Sequence, residues 1–416
     1  MRDDWQGRCS RLVAVVALLV LLAPTPALAA SGDLDPAFDG DGQVTTAFSA
    51  GAAANGMAID RGRIVVVGAA GPNFAVARYN LNGTLDDSFG GEGKVTTHFR
   101  GSGATARAVV VQDNGKIVVV GDADNFGRFA IARYRIDGSL DTSFSGDGKQ
   151  TTRIWPGGSA ARAVALTSGG RIVVAGQTSG PERSAFAIVR YLRNGSLDRT
   201  FSLDGKVTTQ FQGVGAAYGI AVTNGDKVVV VGDAVIAEGF CIARYRSDGR
   251  LDRHFAGDGK LVSRKPGGAR AVALADGKVV VAGIGGDIFG PFAVERYNHD
   301  GSVDRTFSDD GRVIAHMGDG EESGQAIAIQ RNGRIVVAGY TNVPHEGGDT
   351  GNGAFALVRF RPHGAIDESF GVGGKVLTEF SEGLALGMAL ALQWNGKIVV
   401  AGWAGGNFGV ARYLAA

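Results

Sequence analysis

The sequence predicts an all-β fold, a seven-bladed β-propeller of four-stranded antiparallel blades, and three observations carry that prediction. First, L-D-x-x-F recurs with its Asp at Asp35, Asp86, Asp141, Asp198, Asp252, Asp304 and Asp367, with Val303 and Ile366 in place of Leu in the last two copies. The six intervals span 332 residues, a mean of about 55, and the Phe returns every time, from Phe38 to Phe370. Second, each unit holds four strand-like runs, seen best in the second copy as G-K-V-T-T-H-F, A-R-A-V-V-V-Q, K-I-V-V-V-G and F-A-I-A-R-Y. Third, the 416 residues include 67 Gly but only 10 Pro and show no Gly-X-Y period. That composition suits many short strands joined by tight turns, not collagen or disorder. Four strands per unit at this period mean blades around an axis, whereas a helical solenoid needs a 3.6-residue period that these runs lack.

Taken from the N-terminus, residues 1–29 have the form of a signal peptide: Arg2, Arg8 and Arg11 precede an apolar stretch from Leu12 to Leu22, then Pro24, Pro26 and the small-residue site Ala27-Leu28-Ala29. About 11 apolar residues are too few to span a bilayer core of roughly 30 Å. The expectation is cleavage after Ala29 and a protein secreted or associated with the cell envelope, without a transmembrane anchor. Residues 30–416 would then form one propeller domain.

Within each unit the A-R-A-V-V-V-Q run and its equivalents, such as Gly219-Ile220-Ala221-Val222, are richest in Ala and Gly. Small side chains belong where blades crowd together, so this run is expected innermost. K-I-V-V-V-G, an apolar run bounded by turn residues, follows as a strand buried on both faces. F-A-I-A-R-Y is then third and V-T-T outermost. Asn114-Gly115, Asp276-Gly277, Asn332-Gly333 and Asn395-Gly396 join the first two strands of a blade, because these dipeptides accept positive φ and favour hairpins. In this phase the chain opens with an outer strand, Gln43 to Phe48, and ends with a third strand, Phe408 to Tyr413. Pairing of the two ends would complete one blade and close the ring.

Residues 30–416 carry 39 basic and 39 acidic side chains, a balance that argues against nucleic acid, which needs a net basic face to neutralise phosphates. Cys241 alone remains after cleavage, between Phe240 and Ile242, and reads as a buried structural thiol. Packing must therefore hold the fold.

These motifs resemble the delta-60 repeat family of bacterial proteins, whose unit carries L-D-x-S-F-G-x-x-G-x-V, D-G-K-I-V-V-x-G and A-R-Y-x-x-D-G-S-L-D. The likeness runs from about residue 33 to 413 and implies the repeat fold. It implies no activity, because the family is defined by its repeat. The departures are local: Phe360 replaces the Tyr of A-R-Y, Glu295 interrupts that motif before Arg296-Tyr297, and Leu261-Val262-Ser263 replaces V-T-T.

An Arg precedes Tyr or Phe in every copy: Arg78, Arg133, Arg190, Arg244, Arg296, Arg359 and Arg412. Sevenfold repetition of this Arg with the L-D Asp predicts a structural ion pair in each blade, as between Arg133 and Asp141 or Arg190 and Asp198. The D-G-D-G turns lack the spaced ligands of a calcium loop, so no metal or cofactor is implied. Variation collects in the loops between second and third strands and between an outer strand and the next inner one. Both sets lie on one face of the disc, the default binding surface.

Candidate residues on that face are Asp319, Glu321 and Glu322 beside the long insertion Thr341 to Gly353 with His345, Glu346 and Asp349, which could hold a cation or a basic partner. Trp155 and Trp403 are placed in loops on the same face, where they could stack on a sugar. The six His show no H-E-x-x-H spacing and no Ser sits in a nucleophile elbow. The functional expectation is a non-catalytic, monomeric extracellular module that binds a protein, peptide or glycan. The alternatives are a secreted hydrolase or lyase acting on a polysaccharide, which needs convergent carboxylates or a metal-linked His in the central pocket, and a component of a larger surface assembly docked through outer strands.

Overall fold

In the computed structural model the described residues are 30–415, apart from 156, 180–183, 214, 235–238, 287–288, 319, 343–352 and 382. Residues 1–29, which the sequence suggests are a signal peptide, therefore lie outside them. Seven four-stranded antiparallel sheets make up the fold. The first blade runs from an inner strand Ala52–Asp60 through Arg63–Ala70 and Asn73–Tyr79 to an outer strand Lys94–Thr97. The other blades repeat that order, so the strand phase read from residue size holds. Residues of the second and third strands are almost all buried, while the inner strands stay partly exposed at positions such as Ala58, Ala165, Ala221 and Ala328, as expected around a central channel.

Closure of the ring joins the chain's two ends. Gln43–Thr46 pairs with Asn407–Tyr413, with Gln43 opposite Ala411 and Thr46 opposite Phe408, and so supplies the outer strand of the seventh blade. Upstream, the Asp35 N–H donates to the Arg412 carbonyl and the Leu414 N–H to the Asp33 carbonyl, which extends the seam.

The repeated Arg and Asp form one clasp per blade. In the second blade Arg133 Nε lies 2.7 Å from Asp141 Oδ2 and Lys116 Nζ 2.8 Å from the same oxygen, while Ser143 N–H and O–H donate to Oδ1. The guanidinium stacks 4.7 Å from the centroid of Phe144, which explains the Phe of L-D-x-x-F. Its Nη1 donates to the carbonyl of Arg193 in the next blade. The same bond runs from Arg78 to Ile136, Arg190 to Ser247, Arg244 to His299 and, across the closure, Arg412 to Leu81. The motif thus ties each blade to its neighbour as well as its own turn.

A second ladder sits on the opposite face of the third strand. Tyr79, Tyr134, Tyr191, Tyr245 and Tyr413 each donate their hydroxyl to a Thr of the preceding blade's outer strand, respectively Thr46, Thr97, Thr152, Thr209 and Thr378. The departures now have reasons. Phe360 has no hydroxyl to place, and the outer strand before it ends in Ala315, not Thr. Glu295 is buried, accepts from Tyr297 and Ser263, and is matched by Arg312 at 3.1 Å, so a charged triad replaces the neutral pair.

All seven clasp aspartates sit below their ordinary carboxylate range. Burial opposes this, and hydrogen bonds with neighbouring cations overcome it. For Asp252 burial is outweighed by the hydrogen bond from Lys227, the His254 N–H and the charge of Arg244, which bring it down to about 2. The same balance lowers Asp35, Asp86, Asp141, Asp198, Asp304 and Asp367. Between the unfolded value near 3.8 and these lower folded values the unfolded chain binds more protons, so stability rises with pH there. We expect the clasps to contribute fully above about pH 5 and to fail progressively as pH falls from about 4 to about 2. Urea unfolding across this range should show a steep, multi-proton loss, and a midpoint unchanged down to about pH 2 would contradict the clasp's role.

Candidate functional site

The face carrying the variable loops surrounds one mouth of the channel, and a β-bulge repeated in every blade builds that mouth. In each inner strand the register slips by one residue, between Ala54 and Gly56 in the first blade and between Ala106 and Ala108 in the second. Opposite the slip stands the Gly of V-V-V-G. A Cβ on Gly68 would lie 1.9 Å from the Ala53 carbonyl oxygen and one on Gly176 2.0 Å from that of Ala160, so only glycine lets the inner strand approach and bulge. The bulge re-aims one side chain per blade. Those residues are Asn55, Arg107, Arg162, Tyr218, Arg270, Gln325 and Met388.

Blades two to five gather charge at this level. The guanidinium of Arg270 lies 4.1 Å from the centroid of Tyr218 and that of Arg162 lies 4.8 Å from it. Arg270 Nη1 is 2.7 Å from Asp233 Oδ2, and Arg107 Nε is 3.0 Å from Asp122 Oδ1. Among the described residues Arg162 pairs with no carboxylate: its Nη2 donates to Gln177 at 3.2 Å, and its buried Nε has no hydrogen-bond partner. Burial, together with the like charges of Arg107 and Arg270, pulls this guanidinium below its ordinary value against the help of Tyr218 and Asp122. Asp122 is pushed above the usual carboxylate range because burial outweighs Arg107 and Arg162. Among the described residues at this level, the three arginines stand with two carboxylates, one positive charge in excess. Blades six, seven and one present Gln325, Met388 and Asn55, which are neutral.

Aromatic surface borders the charged half. Phe126 is 50% exposed and its ring lies 5.5 Å from the Arg107 guanidinium. Trp155 is 47% exposed, in the loop that rejoins this wall where the Ser159 N–H donates to the Phe126 carbonyl.

The residues singled out from the sequence fall in several places. Asp319, His345, Glu346 and Asp349 lie outside the described residues. Glu321 is exposed and accepts from Asn342, which puts the segment near 320 beside the start of the long insertion as expected. Glu322 corrects its assignment to the face: it is 2% exposed, and its Oε1 accepts the N–H groups of Met317 and Gly318, so it braces its own loop. Trp403 is not in a loop but in strand Ile398–Ala404, opposite Leu386 and Phe408 and half-buried. The D-G-D-G aspartates cap turns, as where Gln43 N–H donates to Asp41 and Lys149 N–H to Asp147. Cys241 is fully buried and burial, then Asp233, pushes its thiol up to about 12, which makes it inert at neutral pH.

A family model described as a domain of unknown function (DUF5122) beta-propeller matches residues 62–89, 112–144, 168–201, 226–255, 274–307 and 330–370. Each match runs from about the end of an inner strand to the Phe of L-D-x-x-F, so these stretches are similar to a β-propeller repeat family. The seventh copy is divided between the two ends of the chain. No curated protein matches. Among solved structures the chain is similar to a virginiamycin B lyase from Staphylococcus aureus, with a TM-score of 0.55, 10% identity, and coverage of 89% of this chain and 99% of that one. It is also similar to a gluconolactonase from Xanthomonas campestris, with a TM-score of 0.42, 11% identity, and coverage of 79% and 92%. At these identities the first likeness is one of fold alone.

Proposed function

We propose that this chain is an exported delta-60-type repeat protein that acts as a non-catalytic recognition scaffold, holding an extracellular ligand at the channel mouth on its variable-loop face. One observation carries the reading. The framework positions of the unit, the Asp and Phe of L-D-x-x-F, the Arg before Tyr or Phe and the Gly of V-V-V-G, recur in all seven copies, while the bulge residue runs through Asn, Arg, Arg, Tyr, Arg, Gln and Met. A rigid framework that varies where it meets solvent is the arrangement of a binding surface. Fixed pairing of Arg107 with Asp122 and Arg270 with Asp233 also favours a preorganised polar surface over groups free to exchange protons. The form of residues 1–29 supports export.

The test is saturable binding on peptide and glycan arrays. Tyr218→Ala should abolish the specific signal while Arg193→Ala, on the opposite face, leaves it intact, and recovered ligand should have unchanged mass. Ligand shortened or desaturated by the protein would replace this reading with the hydrolase or lyase.

A further inference from the structure

We infer that the ligand is a saccharide bearing a ring carboxylate, a uronic-acid-containing glycan, with its carboxylate on Arg162. The inference rests on the recognition reading above and names its ligand class. Arg107 and Arg270 are each matched by an aspartate, but among the described residues Arg162 forms no ion pair: its Nη2 donates to the neutral Gln177 amide and its buried Nε has no hydrogen-bond partner. Arg162 is only partly buried, and a guanidinium with no matching carboxylate among the described residues can take an anionic acceptor at its accessible side, where its planar fork suits a carboxylate. Tyr218 stacks against both Arg162 and Arg270, which holds the guanidinium in place before any ligand arrives.

The rest of the mouth suits a sugar. The carboxylate of Asp233, partly exposed and fixed by Arg270, keeps acceptor capacity for hydroxyl groups. Phe126 and Trp155, both about half exposed on the adjoining wall, offer flat apolar faces to the C–H side of a pyranose ring.

Calorimetric titration with oligogalacturonate, a neutral galacto-oligosaccharide of equal length and a polyglutamate peptide tests the inference. Oligogalacturonate should bind, with the neutral oligomer at least about tenfold weaker, the scale of one charge-assisted contact. Arg162→Gln should raise the dissociation constant for the acidic oligomer about tenfold or more and leave the neutral one unchanged; Arg162→Lys should recover part of the loss. Trp155→Ala, an exposed change that cannot unfold the blade, should weaken both sugars alike and keeps the idea testable if Arg162→Gln misfolds. Equal binding of neutral and acidic sugars, no effect of Arg162→Gln in a folded protein, or preference for polyglutamate would each overturn the uronate assignment. None of those results touches the recognition reading if array binding still depends on Tyr218. Loss of mouth-dependent binding altogether would sink both.

Discussion

Deletion of residues 30–48 is expected to abolish cooperative folding of the ring. The segment supplies the outer strand of the seventh blade, so its loss strips the ladder from Val410 and Ala411 and leaves an open sheet edge. It also removes Phe38, which is fully buried, at a cost of about 3–5 kcal/mol by analogy with large-to-small core changes. Asp35 goes too, and Arg412, 3% exposed, is left without its carboxylate at 2.6 Å. Stranding a buried charge costs about another 3–5 kcal/mol. The Tyr79 hydroxyl loses Thr46, and Phe408 loses the ring of Phe48 at 4.9 Å. Those losses together reach the roughly 5–15 kcal/mol that holds a whole domain folded. Circular dichroism should show no sharp melt, or the chain should be insoluble. A separately supplied peptide of residues 30–48 should restore the transition by adding back the missing strand. A truncated protein that melts within about 5 °C of the parent would show that the seam does not hold the ring.

The closure was legible because it follows from phase alone. Once the Ala-rich run is placed innermost by size, the first and last strands of the chain can only be an outer and a third strand of one blade. The clasp was legible for a different reason: seven copies of Arg and Asp at a fixed spacing leave little alternative to a structural pair. Its second cation, Arg63 in the first blade or Lys116 in the second, was not anticipated, because Arg and Lys alternate at that position and the side chain comes from a different strand.

The channel mouth was hidden by the bulge. Strand alternation has a period of two, and one extra residue shifts the phase of everything after it. Read without that shift, Arg107 in A-R-A-V-V-V-Q looks like one polar residue in an apolar run, and Arg162, Tyr218 and Arg270 look unrelated to it. The available signal was the comparison among copies at one position, where Ala and Gly neighbours hold constant while the middle residue changes chemistry. The Gly of V-V-V-G was the companion clue, since it recurs where a β-branched residue would otherwise suit the strand. The acidic loops, by contrast, are conspicuous by composition alone. Glu322 shows why that misleads: a carboxylate at a loop's end can be consumed by the loop's own N–H groups.

The clasp predicts the second large effect. Asp141→Ala should destabilise the protein by about 3–5 kcal/mol, because Arg133 is 5% exposed and would keep its charge in a buried site with nothing to balance it. Lys116 can swing into water, being partly exposed, but Arg133 is held by Phe144 beneath it and by the Arg193 carbonyl across the blade boundary. Asp147, also an aspartate of a repeated turn, is exposed, accepts the Lys149 N–H and lies 4.0 Å from the Lys149 ammonium; Asp147→Ala should cost about 1 kcal/mol or less. Urea denaturation of the two variants separates burial from mere repetition, since both residues recur around the ring. Equal midpoints would mean that the clasp is solvent-screened and contributes no more than a surface pair. Combining Asp141→Ala with Arg133→Met should recover part of the loss, because removing the stranded charge removes the desolvation it suffers. If the double variant is instead weaker than Asp141→Ala by the full value of another contact, the guanidinium stabilises the fold through Phe144 and the Arg193 carbonyl rather than through its ion pair.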